Sequence, residues 1–397
     1  MTSYRDTHPW LTFELDLRSA MPRLWLLLGE ARSKIEHLAG VPLRPSTAQE
    51  MSKISLVRGA LATTAIEGNT LSEEEARLFL EDSSSLSRSR RYLGEEVLSV
   101  VEACNQIWDR FASSNEEEIT LERILAYNAQ VLKGSHYSED VVPGALRSHV
   151  VGVARYRAPP PEELPELMNR FVAWFTSASF REKVPSLDDT EGPPAMAIVG
   201  AILAHLYFAW IHPFGDGNGR TARLIEFAML LRADVPTVAA HLLSNHYNET
   251  RSEYYQQLQR ASATRDPLPF IVYALQGFVD GLRGQIAKVR DEQLDVVWRN
   301  YVHERFRSES GPVARRRREL VLQLSRVQTP VQRAAVNILS PALAEAYRSL
   351  TPKAISRDLK LLEEMKLLEE VDGGWQARKR DIEAFIPPRR TRVRTGR

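Results

Sequence analysis

Cysteine is nearly missing from this sequence: Cys104 is the single one in 397 residues. One thiol excludes a disulfide framework within the chain and any metal site built from several thiolates. An excess of charge is missing too. Lys and Arg number 52 against 51 Asp and Glu, a formal net charge of +1, so total charge gives no pointer to nucleic acid or an anionic membrane. The opening MTSYRDTHPW lacks the basic-then-apolar pattern of a leader, which gives the expectation of a cytoplasmic protein. Long apolar runs are scarce. The longest, Pro194–Ile211, contains Gly200 and His205 and leads into a polar loop, which makes it a buried core helix rather than a membrane span. No Walker-type Gly-rich phosphate loop occurs. With 43% hydrophobic and 26% charged residues the chain has ordinary globular composition, and its length suits two or three domains.

The chemistry concentrates in one stretch, HPFGDGNGRTAR, from His212 to Arg223. Apolar helical runs flank it: Ala195–Ile211 before, and Leu224, Ile225, Phe227, Ala228, Leu230 and Leu231 after. A chain that leaves one helix, turns through Gly215, Gly217 and Gly219 and enters another presents free backbone N–H groups at a helix N-terminus, an anion site. Asp216 offers a carboxylate suited to Mg²⁺ carried in with phosphates. Arg220 and Arg223 are three apart on the new helix and lean back over the loop, and arginine suits bidentate phosphate contact. His212 can take a proton near neutral pH. These groups together predict phosphate-ester chemistry on a nucleotide.

The stretch resembles the signature of Fic-domain proteins, His-x-Phe-x-(Asp/Glu)-Gly-Asn-Gly-Arg-x-x-Arg. Every fixed position is filled, by His212, Phe214, Asp216, Gly217, Asn218, Gly219, Arg220 and Arg223. The resemblance implies a protein adenylyltransferase, moving AMP from ATP to a Ser, Thr or Tyr hydroxyl of a protein. It makes His212 the catalytic base and Asp216 the Mg²⁺ carboxylate. Gly215, Gly217, Asn218, Gly219, Arg220 and Arg223 become the nucleotide and phosphate contacts.

Upstream, Thr63, Glu67 and Gly68 resemble the (Ser/Thr)-x-x-x-Glu-(Gly/Asn) inhibitory motif of autoinhibited Fic proteins. They sit at the end of a helix expected from about Thr47 to Glu67, with Gly68 as its C′ residue. Ser72 and Glu75 form a capping box for the next helix. A carboxylate in a last helical turn is disfavoured by the macrodipole. The resemblance supplies a partner for it, Arg223; a solvated surface acid is the plainer alternative. His149–Val153 is the best strand candidate in the first 300 residues. By resemblance His149, Val150, Val151, Gly152 and Val153 form the flap that holds a target by strand addition. Past the motif, the spacing of Asn245, Asn248, Tyr254 and Tyr255 assigns them no role by itself. The resemblance puts Asn248 and Tyr254 near the nucleotide base, and core packing accounts for the tyrosines equally well.

After a long helix expected at Phe270–Arg307, the basic run Arg315–Arg318 precedes helical segments at Leu320–Val327 and Val331–Leu339. Leu350–Arg378 then reads as a helix-turn-helix and wing. Lys353, Ser356, Arg357 and Lys360 lie on one helix side, and Asp372-Gly373-Gly374 makes the hairpin turn. It resembles the winged helix appended to many Fic domains. Solvation accounts for the basic face as well as nucleic-acid binding does.

The expected fold is mainly α. Residues 1–112 form an N-terminal helical region carrying the inhibitory helix, and 113–265 a Fic-type helical core with a small β-hairpin flap. Residues 266–312 form a spacer helix, 313–386 a winged helix-turn-helix, and 387–397 a basic tail. The implied partners are Mg²⁺, ATP as substrate, a protein target, the chain itself as a second substrate, and a second copy in a homodimer; no membrane is implied. The alternatives are AMP removal or another nucleotidyl or phosphoryl transfer at the same site, and a DNA-binding regulator acting through the winged helix.

Overall fold

The computed structural model describes residues 4–17, 20–114, 119–153, 156–176 and 193–382. The acidic loop 186–194 falls largely, and the basic tail 387–397 wholly, outside the described residues. The chain divides into two compact units, residues 1–287 and 288–397. That boundary lies inside the helix Leu268–Arg305, so the spacer expected as a segment of its own is shared between the units.

The first unit is helical. Its centre is the helix Pro193–Ile211 and, after the motif loop, the helix Asn218–Arg232. Positions 198–208 of the first are fully buried but for Tyr207 at 2% and the glycine between them, which is why that sequence shows no polar face. No helix among the described residues is long and apolar enough to cross a membrane. Asn218–Arg232 is likewise buried nearly all round, Arg220 and Arg223 included.

Helices Pro22–Gly40, Pro45–Ile66, Glu73–Glu81, Arg91–Ser114 and Leu121–Val131 surround this pair. Proline at the first helical position starts two of them, where its missing N–H costs nothing. The capping box is complete. Ser72 N–H donates to Glu75 Oε2 at 2.9 Å, and Glu75 N–H donates to Ser72 Oγ at 3.2 Å. The helix Pro45–Ile66 lies flush on the core at Gly59, where a Cβ would overlap the His241 ring. That close approach carries its C-terminal end to the motif loop.

The expected strand His149–Val153 is mostly not one. Only Gly152–Val153 pairs, antiparallel, with Tyr156–Arg157. The reason lies in Arg147, whose guanidinium takes the His149 carbonyl at 2.7 Å that a neighbouring strand would otherwise use. After the hairpin a 3₁₀ turn, Pro161–Glu163, leads into the helix Leu164–Thr176.

In the second unit the basic run lies within a helix, Pro312–Leu324, that starts earlier than expected. Val331 is not helical: it bridges Trp375, and a 3₁₀ turn, Arg333–Ile338, follows. Helix Pro341–Tyr347 was not legible in the sequence; helix Pro352–Glu364 and the hairpin Leu368–Val371 with Gly374–Ala377 fall where expected. Trp298, Leu320, Val321, Val336, Leu359, Leu362 and Leu368 make this unit's core. The basic run is not a free face. Buried Asp358 accepts from Arg316 Nε at 2.9 Å, Arg317 Nε at 2.7 Å and the Tyr347 hydroxyl at 3.0 Å. Lys353, Arg357 and Lys360 remain exposed, while Ser356 accepts from Arg333 at 2.9 Å.

Candidate active site

The motif loop is closed by its own asparagine. Asn218 Nδ2 donates to the Phe214 carbonyl at 2.8 Å, and Phe214 N–H donates to Asn218 Oδ1 at 2.9 Å. The Asn218 side chain therefore holds the turn with one donor and one acceptor. Gly217 has φ +77°, in the left-handed region that glycine enters freely. A Cβ there would lie 2.9 Å from Asn128 Nδ2. Asn128 is a brace the sequence did not reveal. Its Nδ2 donates to the Asp216 carbonyl at 2.9 Å, and its Oδ1 accepts from Gly144 N–H at 3.0 Å. Gly215 is packed between Val141 and His149, whose Cγ2 and Cε1 would stand 3.0 and 3.5 Å from an added Cβ.

His212 has φ +47°, a strained value for a residue with a side chain. Its N–H donates to the Phe208 carbonyl at 2.8 Å, and its own carbonyl accepts from Arg147 Nε at 2.8 Å. Arg147 also donates to the His149 carbonyl and the Pro159 carbonyl, both at 2.7 Å, and its N–H reaches the Pro213 carbonyl at 3.0 Å. One buried guanidinium thus ties both ends of the flap to the catalytic loop. Burial pushes the His212 imidazole down to about 4, opposed by the Ala209 carbonyl and helped by the Arg147 charge. At neutral pH the ring is unprotonated and can accept a proton.

Asp216 is the open carboxylate of the loop, its side chain 41% exposed. Gly217 N–H donates to its Oδ1 at 2.5 Å, and Arg220 stands 3.6 Å away. No cluster of three or more His, Cys, Asp or Glu suited to a metal occurs among the described residues. The donor set fits a hard cation that arrives on phosphate oxygens and takes one protein carboxylate; it does not make an all-protein cage.

The two arginines are held differently. Arg220 donates to the Val131 carbonyl at 3.0 Å and to Ser135 Oγ at 2.7 Å. Arg223 donates to the Thr63 carbonyl at 3.0 Å and to Glu67 Oε1 at 2.5 Å. Its Nε and second amino nitrogen are buried without a hydrogen-bond partner, so it has donors to spare. Burial works against the Arg223 charge, and Glu67, Tyr254 and Glu226 together more than offset it. Burial likewise works to raise the Glu67 carboxyl, but Arg223, with Arg220 and Arg251 beyond it, holds it below the usual range.

Glu67 sits over the loop's glycines. A Cβ on Gly219 would overlap its Oε1 and lie 3.1 Å from an Arg223 nitrogen. The carboxylate therefore lies beside the first turn of the motif helix, where anions are favoured. Thr63 and Gly68 serve it through the backbone: Thr63 by its carbonyl, Gly68 by φ +107°, which ends the helix. Gly68 as C′ was legible in the sequence.

The flap residues are spread. His149 Nε2 is 3.5 Å from Asp140 Oδ2, and Val150 is 66% exposed. The Val151 carbonyl accepts from Ala158 N–H at 3.1 Å, and Gly152 and Val153 pair with Arg157 and Tyr156. Asn248 is half-buried on helix Leu242–Glu249. Tyr254 is committed to packing and a hydrogen bond. It is buried, stacked on Tyr247 with ring centroids 4.8 Å apart, and bonded to His205 Nε2 at 2.8 Å. Tyr255 is exposed, and its hydroxyl donates to the Ile66 carbonyl at 3.2 Å, next to Glu67. The residues missed by sequence, Arg147, Asn128 and Ser135, act on partners 65 to 93 positions away, and no spacing rule reaches that far.

Residues 118–230 match the Fic/DOC family. A protein adenylyltransferase Fic of Nematostella vectensis is 30% identical over 256 residues, 64% of this chain and 55% of that protein. The adenylyltransferase fic-1 of Caenorhabditis elegans is 31% identical over 211 residues, 53% of this chain and 37% of that one. The chain thus spans about half, or less, of the length of these relatives. Among solved structures, a Fic family protein of Desulfovibrio desulfuricans aligns with TM-score 0.56 at 20% identity, over 92% of this chain and 98% of that one. Fic-1 of Caenorhabditis elegans aligns with TM-score 0.54 at 23% identity, over 67% of this chain and 73% of that one. Both likenesses concern the fold.

Proposed function

From the premise that the chain belongs to the Fic family through residues 118–230, we propose that it is a protein adenylyltransferase held in check by Glu67. In this reading a Ser, Thr or Tyr hydroxyl of a protein attacks the α-phosphorus of ATP. His212 takes the hydroxyl proton. The new P–O bond forms as the bond to the α,β-bridging oxygen breaks, and pyrophosphate leaves.

His212, unprotonated at neutral pH, has the form a base requires, and the negative charge of an incoming polyphosphate favours the proton's arrival. In this reading the amides of Asn218 and Gly219, at the start of the motif helix, meet the developing anionic charge together with Arg220 and Arg223. Asp216 is the residue that would hold Mg²⁺, which supplies charge neutralisation on the α- and β-phosphates when bound. Gly152–Val153 offers the short edge along which a target segment would lie.

The observation that carries the regulatory part is the Glu67 carboxylate, seated on the Gly219 face and bonded to Arg223. It takes the place a terminal phosphate would occupy, so ATP is held off its productive pose. The element order of residues 312–382 fits a winged helix that selects partners, with Lys353, Arg357 and Lys360 as its exposed basic row. The experiment is to incubate the Glu67→Gly chain with ATP and a cell lysate, and to search by mass spectrometry for adenylylated Ser, Thr or Tyr. Adducts dependent on His212 support the proposal; phosphorylated or unmodified peptides alone contradict it.

A further inference from the structure

Beside Arg223 lies a set of buried polar side chains to which AMP transfer gives no task. His205, Glu226, Tyr247 and Tyr254 are 0, 1, 0 and 3% exposed, and each comes from a different helix. The Tyr247 hydroxyl donates to Glu226 Oε1 at 2.8 Å. His205 Nδ1 stands 3.1 Å from Glu226 Oε2, and its Nε2 is 2.8 Å from the Tyr254 hydroxyl. Burial pushes both phenols up, so each stays an O–H donor. The His205 ring thus lies between the Tyr254 hydroxyl and Glu226. Tyr247 is the one member of the set that donates to the carboxylate; His205 stands beside the other oxygen, Oε2, which takes no hydrogen bond among the described residues.

A carboxylate enclosed this way calls for positive charge in its surroundings. Arg223 is three residues earlier on the same helix and shares its face. It is 2% exposed and feels the Glu226 charge as well as that of Glu67. The two carboxylates differ in freedom. Glu67 caps a helix end with its side chain 39% exposed, whereas Glu226 is enclosed on all sides.

We propose that Glu226 is a fixed counter-charge that sets how tightly Arg223 grips its exchangeable anion, Glu67 in the closed state and the polyphosphate of ATP in the open one. It acts through Arg223 and touches no reacting atom. By sharing the guanidinium's charge it weakens both grips, which lets one anion be exchanged for the other. The inference rests on the reading of Arg223 as the polyphosphate receptor.

The test is calorimetric binding of ATP and AMP to the full chain carrying Glu67→Gly, alone and with Glu226→Gln, Tyr247→Phe or Arg223→Ala. Glu226→Gln should tighten ATP about three- to tenfold and leave AMP within about twofold, because removing a nearby negative charge strengthens the attraction of Arg223 for the distal phosphates. Tyr247→Phe keeps the charge and should leave ATP affinity unchanged. A purely structural role predicts the opposite sign, weaker ATP binding in both variants. Unchanged or weaker ATP binding by folded Glu226→Gln overturns the inference, as does an equal shift in both variants. If Arg223→Ala weakens ATP but Glu226→Gln does not tighten it, the Glu226 inference alone fails. If Arg223→Ala leaves ATP affinity unchanged, the reading of Arg223 fails and the inference with it. Should Glu226→Gln not fold, Glu226→Asp, which draws the charge back by a methylene, carries the test with the same sign; weaker or unchanged ATP binding overturns the inference.

Discussion

Arg223 donates to Glu67 Oε1 at 2.5 Å across 156 positions of sequence, and the same carboxylate lies against Gly219 at the N-terminus of the motif helix. One acid therefore pairs with an arginine and crowds the start of the motif helix at once. Glu67→Gly removes both effects. It should raise AMP transfer by at least about tenfold, since misplacement of a reacting group by about 1 Å can cost on the order of 10²-fold in rate. Arg223→Ala should lower transfer even in the Glu67→Gly background. Rates of self-labelling for the two single variants and the double variant check this. Equal rates for Glu67→Gly and the unaltered chain across several targets would return Glu67 to a surface acid.

Gly219→Ala tests the seat itself. The added Cβ overlaps the Glu67 oxygen, so the Glu67–Arg223 pair cannot form as it stands. The same Cβ would crowd an incoming phosphate. Unlike Glu67→Gly, this variant should lose the brake and stay inactive, with ATP affinity reduced about tenfold or more. Transfer as fast as that of Glu67→Gly would show that the anion seat lies elsewhere.

Arg147→Met removes the donor that three backbone carbonyls share, those of His212, His149 and Pro159. Unsatisfied buried acceptors cost about 1–3 kcal/mol each, so a loss of about 3 kcal/mol in denaturant unfolding is expected. The strained His212 backbone loses its anchor, so kcat should fall about tenfold or more while the Kd for ATP changes little. A folded variant with normal kcat would exclude Arg147 from positioning His212.

The acid limb of transfer by the Glu67→Gly chain should lie near pH 4 rather than near the ordinary histidine value of 6.5, because burial holds His212 down. The sign for stability is the same. An unfolded chain takes up this proton near 6.5 and the folded one only near 4, so His212 stabilises the fold above that window. That contribution falls as pH drops from 6.5 toward 4. Glu67, held below the carboxylate range by Arg223 against its burial, contributes at neutral pH and loses that contribution only as pH falls through its lowered value. A kcat/KM profile with its acid limb at 6.5 would contradict the burial argument.

Local chemistry was legible in the sequence and long-range support was not. The loop His212–Arg223, the capping box at Ser72 and the helix end at Gly68 each follow from residues within a few positions, where glycine, cap and helical spacing act directly. The pairing of Glu67 with Arg223 was legible only through the family resemblance, since a carboxylate in a last turn does not name its partner. Arg147, Asn128 and Glu226 lay hidden because their partners are distant in sequence and their residue types carry no pattern. Tyr254 and the basic run at 315–318 stayed open in sequence for a common reason. An aromatic ring or an arginine looks available in sequence until packing commits it, here to His205 and to Asp358.

The most direct test of AMP transfer compares ATP labelled on the α-phosphate with ATP labelled on the γ-phosphate. Each is incubated with the Glu67→Gly chain and with the Glu67→Gly/His212→Ala chain. Transfer of AMP predicts that the α label enters protein with Glu67→Gly, that the γ label does not, and that His212→Ala lowers α labelling about 10²- to 10⁴-fold. Incorporation of the γ label, or α labelling that survives His212→Ala undiminished, would contradict it.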